Sequence, residues 1–163
     1  MTIRAHIGLG ANLGDPAARL RWALQRLAAL GQLEAQSPLY RSAPMGPADQ
    51  PDYCNAVCIL QTELTPRALM DALLAIERET GRIRDEKWGP RTLDLDLLHV
   101  DGVAMDESSL HLPHPGIATR NFVLWPWADV APDIEVPGVG RIGALASAIG
   151  HAGLARWDAP HGD

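Results

Sequence analysis

The residues best equipped for chemistry fall in one stretch, positions 81–99, G-R-I-R-D-E-K-W-G-P-R-T-L-D-L-D-L-L-H. Its first half, 81–91, reads as a loop punctuated by Gly81, Gly89 and Pro90, and it carries Arg82, Arg84, Lys87 and Arg91. Its second half, 92–100, reads as a strand in which Leu93, Leu95 and Leu97 alternate with Asp94 and Asp96. Side chains alternate faces along a strand, so the leucines go to a core and both carboxylates share the other face. Carboxylates about 7 Å apart on one face repel each other, and a hard divalent cation relieves that repulsion. Mg²⁺ is typically held by one or two carboxylates plus substrate phosphates, and guanidinium forks match phosphate oxygens. Together these parts point to phosphoryl-type transfer, in which catalysis is mostly positioning and charge neutralisation. A half-buried strand beside a solvated loop is the plainer reading of the two aspartates alone. The arginines and the Trp88-Gly89-Pro90 corner weigh against it.

The remaining chain must position this stretch. Its 163 residues, 47% of them hydrophobic, suit one domain, 1–163, with a substantial core. No run of 18 apolar residues is present, which argues against a membrane partner, and the N-terminus is too short and polar for a signal peptide. Cys54 and Cys58, four apart in a strand-like run, lie roughly 13 Å from each other, too far for a mutual disulfide. They read as buried small hydrophobes in a reducing, cytoplasmic setting. The net charge of −6 argues against a nucleic-acid partner. Five of the 14 Lys and Arg residues nonetheless fall within 78–91, a local basic segment that fits a small anionic ligand. An acidic chain with a plain surface is expected to be a monomer.

Residues 2–9 read as a strand followed by the glycines Gly8, Gly10 and Gly14. Their spacing departs from the dinucleotide fingerprint, so a tight strand-to-helix turn is expected there. Asp15 and Pro16 read as N-cap and first helical residue, Leu20, Leu24 and Leu27 follow at helical spacing, and Gly31 reads as the C-terminal glycine. A strand over 33–42, a proline loop over 43–52 and a strand over 53–62 follow. The last of these places Tyr53, Asn55, Val57 and Ile59 on one face and Cys54, Ala56, Cys58 and Leu60 on the other. Thr65 and Pro66 open a second helix, with Leu69, Leu73 and Ile76 as its stripe and Gly81 closing it. The order strand, helix, strand, strand, helix, strand predicts an α+β, ferredoxin-like βαββαβ core with both helices on one face and the aspartates on an open one. Beyond it, 110–116 reads as extended. Pro113 bars a helical H-x-x-H from His111 and His114, which argues against zinc. Residues 120–129 read as a short helix that Pro126 must enter early or kink, and 141–150 as a final helix with Ile142, Leu145 and Ile149 inward. The polar tail, 151–163, is expected to be poorly ordered.

Several segments carry a resemblance. They are Gly8 through Gly14, Y-R-S-A-P at 40–44, D-Q-P-D-Y-C-N-A at 49–56, G-R-I-R at 81–84, W-G-P-R-T-L-D-L-D at 88–96, and P-H-P at 113–115 running on to R-N-F-V-L-W-P at 120–126. With these, the chain closely resembles the 6-hydroxymethyl-7,8-dihydropterin pyrophosphokinases of folate biosynthesis, over about residues 3–133. The resemblance implies ATP as co-substrate, donating its β,γ-pyrophosphoryl group to the hydroxymethyl oxygen of the pterin and leaving AMP. It implies two Mg²⁺ ions bridged by Asp94 and Asp96, in agreement with the strand-face reading. It also implies catalytic roles for Arg82 and Arg91 on the transferring phosphates, with Arg84 assisting.

On the nucleotide side the resemblance implies Glu77, His114 and Arg120, with main-chain groups near Leu97 and His111 reading the adenine. On the pterin side it implies Tyr53 and Phe122 as ring-stacking partners, Asn55 at the heterocycle edge, and main-chain contacts from Ser42, Ala43 and Met45. Trp88, implied to contact both substrates, belongs to a loop implied to close over the site, and Asp94 is implied to contact the pterin as well. The loop is shorter and more acidic at Asp85-Glu86-Lys87 than the family pattern, and Leu74 and Pro115 replace a polar and an aromatic residue. A non-catalytic ferredoxin-like module that binds pterin or nucleotide is the alternative.

Overall fold

The computed structural model describes residues 2–43, 51–80, 93–107 and 110–158. Two helices start as their caps dictate. In α1 (Pro16–Ala28), Asp15 accepts from the Ala18 N–H at 3.2 Å; in α2 (Pro66–Glu79), Thr65 accepts from the Ala68 N–H at 3.1 Å. Each has proline in its first turn, where the missing N–H costs nothing. Their apolar stripes pack on one face of an antiparallel sheet. Along the sheet run β10 (Leu154–Arg156), β3 (Tyr40–Ser42), β4 (Tyr53–Thr62), β1 (Ile3–Ala11) and β5 (Asp94–Val100), with β2 (Gln32–Gln36) also paired to β4. The core beneath α1 and α2 collects Leu20, Leu27, Leu69 and Leu73 with Cys54, Ala56, Cys58 and Leu60 from β4 and Leu95 and Leu97 from β5. Both cysteines are free and buried.

Several expectations are corrected. Residues 33–42 do not form one strand. Pro38 interrupts the run, and the Ser37 hydroxyl bridges the gap by accepting the Val57 N–H at 3.0 Å. Gly31 does not cap α1 in a left-handed conformation; the cap is Ala29, in right-handed helical geometry. Gly31 is required instead by close approach, since a Cβ there would stand 2.0 Å from the Gln61 carbonyl oxygen. The aspartate-bearing face is not wholly open. Its far half is covered by α3 (Asn121–Val130) and α4 (Ile142–Ile149), which form a second core with Val57, Ile59 and Leu98. Pro126 sits inside α3 and is buried there, while Ile149 at the end of α4 points outward at 37% exposure. Finally, part of the tail is ordered, because β10 pairs with β3 and the Trp157 N–H donates to the Leu39 carbonyl at 2.9 Å.

A polar cluster borders the second core, with His6 and His99 buried and Asp101 reaching solvent. Trp127 of α3, fully buried, donates its indole N–H to His6 Nδ1 at 2.9 Å. Indole is a donor only, so neutral His6 carries its hydrogen on Nε2 and donates it to Asp101 Oδ1 at 2.8 Å. His99, opposite His6 in the β1–β5 register, completes the cluster. The nearest ligand atoms of His6, His99 and Asp101 lie within 4.8 Å of one another, a spacing a metal ion could bridge. The Trp127 donor argues against it, because a metal on His6 Nε2 requires a hydrogen on Nδ1. Burial holds His6 down to about 4, so its contact with Asp101 at neutral pH is that of a neutral imidazole.

A histidine with a lowered folded pKa binds fewer protons folded than unfolded. Its contribution is complete above pH 6.5, falls as the pH drops toward 4, and is flat below. Urea unfolding is therefore expected to show a loss of about 3 kcal/mol from His6 between pH 7 and 4. His6→Gln is expected to flatten that slope; an unchanged slope would locate the proton uptake elsewhere. Gly31→Ala is expected to lower stability by about 2–3 kcal/mol in thermal unfolding, through the clash with Gln61.

Candidate active site

Residues directly paired across strands share a face. The registers of β4, β1 and β5 therefore lay out two rows, Asn55–Gly10–Asp94 and Val57–Gly8–Asp96. At the centre of each row stands a residue without a side chain. The result is a trough, with an amide on one bank and two carboxylates on the other. Gly8 and Gly10 thus lie within β1 rather than in the tight turn expected for them. A Cβ on Gly10 would lie 3.5 Å from Asn55 Oδ1, an ordinary contact. A side chain there would fill the trough without breaking the sheet. Two glycines at i and i+2 in a strand carry this signal in the sequence.

The trough opens into a cavity of about 180 Å³. Its floor is Gly8 and Gly10; its walls are Asp94 and Asp96 of β5, Tyr53 and Asn55 of β4, and Ser42 and Ala43 at the end of β3. Arg120, Phe122 and Val123, at the start of α3, close it from above. Asn55 is 4% exposed and donates Nδ2–H to Ser42 Oγ at 2.8 Å. That bond leaves its carbonyl oxygen toward Gly10, an acceptor presented to the trough. Asn12, beyond the end of β1, donates to the Pro51 carbonyl at 3.1 Å and ties β1 to the entry of β4.

Other expected residues take different positions. Glu77 is 2% exposed, and its Oε2 accepts the Leu95 N–H at 2.7 Å. It joins the end of α2 to the start of β5, beside the two aspartates. Leu97 points its side chain into the core beneath α1 and α2, so only its main chain is available to a ligand. The β1–β5 register shifts between His6 and Ile7 and passes over Leu98, an extra residue whose carbonyl accepts the His114 N–H at 2.8 Å. This bulge brings His114 beside β5, with Nε2 3.8 Å from Asp96 Oδ1. The His114 Nδ1–H donates to the Pro115 carbonyl at 2.6 Å, so Nε2 of the neutral ring offers a lone pair. Burial lowers the His114 pKa, which keeps the ring neutral near pH 7. His111 lies on β7 (Leu110–Leu112), exposed, with Nδ1 bonded to Asp106 at 2.7 Å. His111 and His114 thus have different hydrogen-bond partners, and neither sits on a helix. Arg82, Arg84, Trp88, Arg91 and Met45 lie outside the described residues.

As a donor set, Asp94 and Asp96 offer oxygen ligands at one side of the cavity, which fits a hard divalent cation. On the opposite side, Tyr53, Phe122 and the Asn55 carbonyl make an apolar and aromatic wall with one polar reader, which fits a flat heterocycle bearing N–H donors.

Residues 6–132 match the family described as 7,8-dihydro-6-hydroxymethylpterin-pyrophosphokinase (HPPK). A 2-amino-4-hydroxy-6-hydroxymethyldihydropteridine pyrophosphokinase of Pseudomonas aeruginosa is 45% identical over 158 residues, covering 96% of this chain and 98% of its own. One from Methylorubrum extorquens is 43% identical over 145 residues, covering 88% and 92%. Among solved structures, wild-type Plasmodium falciparum HPPK-DHPS with pteroate superposes with a TM-score of 0.71 at 14% identity, covering 91% of this chain. This chain spans 42% of that longer one, so the likeness bears on the fold alone. With a family match through most of the sheet, both flanking helices and α3, and close relatives matched nearly end to end, the chain belongs to the 7,8-dihydro-6-hydroxymethylpterin-pyrophosphokinase family.

Proposed function

We propose that this protein transfers pyrophosphate from ATP to the hydroxymethyl group of 6-hydroxymethyl-7,8-dihydropterin in folate biosynthesis. The observation that carries the reading is the trough, in which two carboxylates face an amide and two aromatic residues across side-chain-free strand positions. The pterin hydroxyl oxygen attacks the β-phosphorus of ATP, and a new P–O bond forms. The bond from the β-phosphorus to the oxygen bridging it to the α-phosphorus breaks. AMP departs with that oxygen and the hydroxyl proton is released. Family membership disfavours the alternative of a non-catalytic binding module.

The roles of individual residues are part of the same proposal. Asp94 and Asp96 would hold Mg²⁺, two ions in all, which supplies charge neutralisation at the phosphates when bound. Tyr53 and Phe122 stack on the pterin, the Asn55 carbonyl accepts from its N–H groups, and main-chain groups of Ser42, Ala43 and Met45 add hydrogen bonds. Arg82 and Arg91 neutralise the transferring phosphates, Arg84 assists them, and Trp88 contacts both substrates. Arg120 and His114 contact the nucleotide, and main-chain groups near Leu97 and His111 read its base. Glu77 serves this half of the site by fixing the start of β5 through Leu95. The enzyme acts as a cytoplasmic monomer on small molecules, without nucleic-acid or membrane partners, a reading that rests on its charge and composition. Among the described residues, no helix is long and apolar enough to cross a membrane. The core is ferredoxin-like, a reading supported by the βαββαβ order and by the placement of β4 and β1 at the centre of the sheet.

The decisive assay is AMP formation from ATP and 6-hydroxymethyl-7,8-dihydropterin, with Mg²⁺ and with the metal chelated. AMP that requires pterin and metal supports the reading; ADP in its place would mean transfer of a single phosphoryl group. Asp96→Ala is expected to lower kcat by on the order of a hundredfold or more, as loss of one transition-state stabiliser does. Wild-type turnover by that variant would remove Asp96 from the metal site. Phe122→Ala is expected to raise the pterin KM roughly tenfold with little change in the ATP KM, through loss of ring stacking.

A further inference from the structure

We infer that residues 151–158 form a strap that positions the two pterin-side walls of the cleft, with Trp157 and Arg41 as its principal positioning residues. The inference rests on the proposed reaction and concerns chain beyond the family match at 6–132. One wall, β3, is three residues long and ends in Ser42. Alone, it would hold the sheet by β4 only. The strap gives it a second neighbour, with Leu154 opposite Ser42, Ala155 opposite Arg41 and Arg156 opposite Tyr40, and the Trp157 N–H reaching the Leu39 carbonyl at 2.9 Å. The Arg41 guanidinium lies 3.9 Å from the centre of the Trp157 ring and 3.7 Å from the carboxylate of Asp52, the residue before Tyr53. The strap thus pairs with Ser42 directly and is linked to the start of β4 through Arg41 and Asp52.

The same segment grips the other wall. Asn121, immediately before Phe122, donates its amide to the Ala152 carbonyl at 3.0 Å. The ring of His151 meets Trp125 edge-on with centroids 5.2 Å apart. A hydrogen bond from the Tyr40 hydroxyl to Asp129 joins β3 to α3 directly, and Arg156 lies over the Tyr40 ring. Eight residues therefore link β3 to the start of α3, and the separation of these elements sets the width available to a planar ring. Asp94, Asp96 and His114 stand across β1 from these contacts, so the strap bears on the pterin half of the site rather than the nucleotide half.

Trp157→Ala removes the ring from Arg41 and from the edge of the main core, and leaves the cavity lining intact. With thermal unfolding run alongside, it is expected to raise the KM and the calorimetric Kd for 6-hydroxymethyl-7,8-dihydropterin by about three- to thirtyfold, the span of a cation–π contact. The ATP KM and kcat are expected to stay within about twofold. Trp157→Phe keeps an aromatic face and is expected to recover most of the loss. A lower melting temperature with unchanged pterin constants would overturn the proposal, as would equal losses for both substrates. Should Trp157→Ala fail to fold, Asn121→Ala, which cuts the strap from α3 at the surface, must itself weaken pterin binding or the proposal fails. A wild type that makes no AMP would sink the proposed reaction instead, and pterin calorimetry would still read the strap.

Discussion

The site depends on one constraint, the registry of three antiparallel strands. Because paired residues share a face, the alignment of β4, β1 and β5 decides that Asn55, Gly10 and Asp94 stand in one row and Val57, Gly8 and Asp96 in the next. A slip of one residue would turn both carboxylates into the leucine core and both leucines outward. Burial of Leu95 and Leu97 therefore protects the geometry of the aspartates. The apolar half of the strand specifies where the charged half points.

The second layer turns an exposed sheet face into a cleft. α3 lies on the aspartate face and buries its far end, where Trp127 packs against His6 and Ile59. The other end of the same helix brings Arg120 and Phe122 over the trough. Anchoring and ligand contact are thus separated along one helix, with the buried indole at one end and the cavity at the other. The bulge at Leu98 contributes in the same way. It interrupts strict alternation, puts His99 on the face of His6, and frees a carbonyl that seats His114 beside Asp96.

Much of this was legible in the chain. The caps at Asp15 and Thr65, the helical stripes, the two faces of β4 and the alternation of β5 are local signals set by 3.6- and 2-residue periods. The paired aspartates could be read as a cation site for the same reason. The break at Pro38 was also present in the sequence, but the strand-like residues around it masked it. Gly8 and Gly10 were misread because a glycine's meaning depends on what lies across from it, and the neighbours of β1 come from positions far along the chain.

The sequence by itself determined the two flanking helices, the faces of β4 and β5 and, through W-G-P-R-T-L-D-L-D, the family. Those properties follow from short-range patterns that one strand or helix carries within itself. The tertiary structure decided that the two glycines floor a trough, that Glu77 secures β5, that α3 covers half of the aspartate face, and that the tail becomes an edge strand. Each of these depends on which distant segments meet and in which register, and that is settled only when the whole sheet closes around its core.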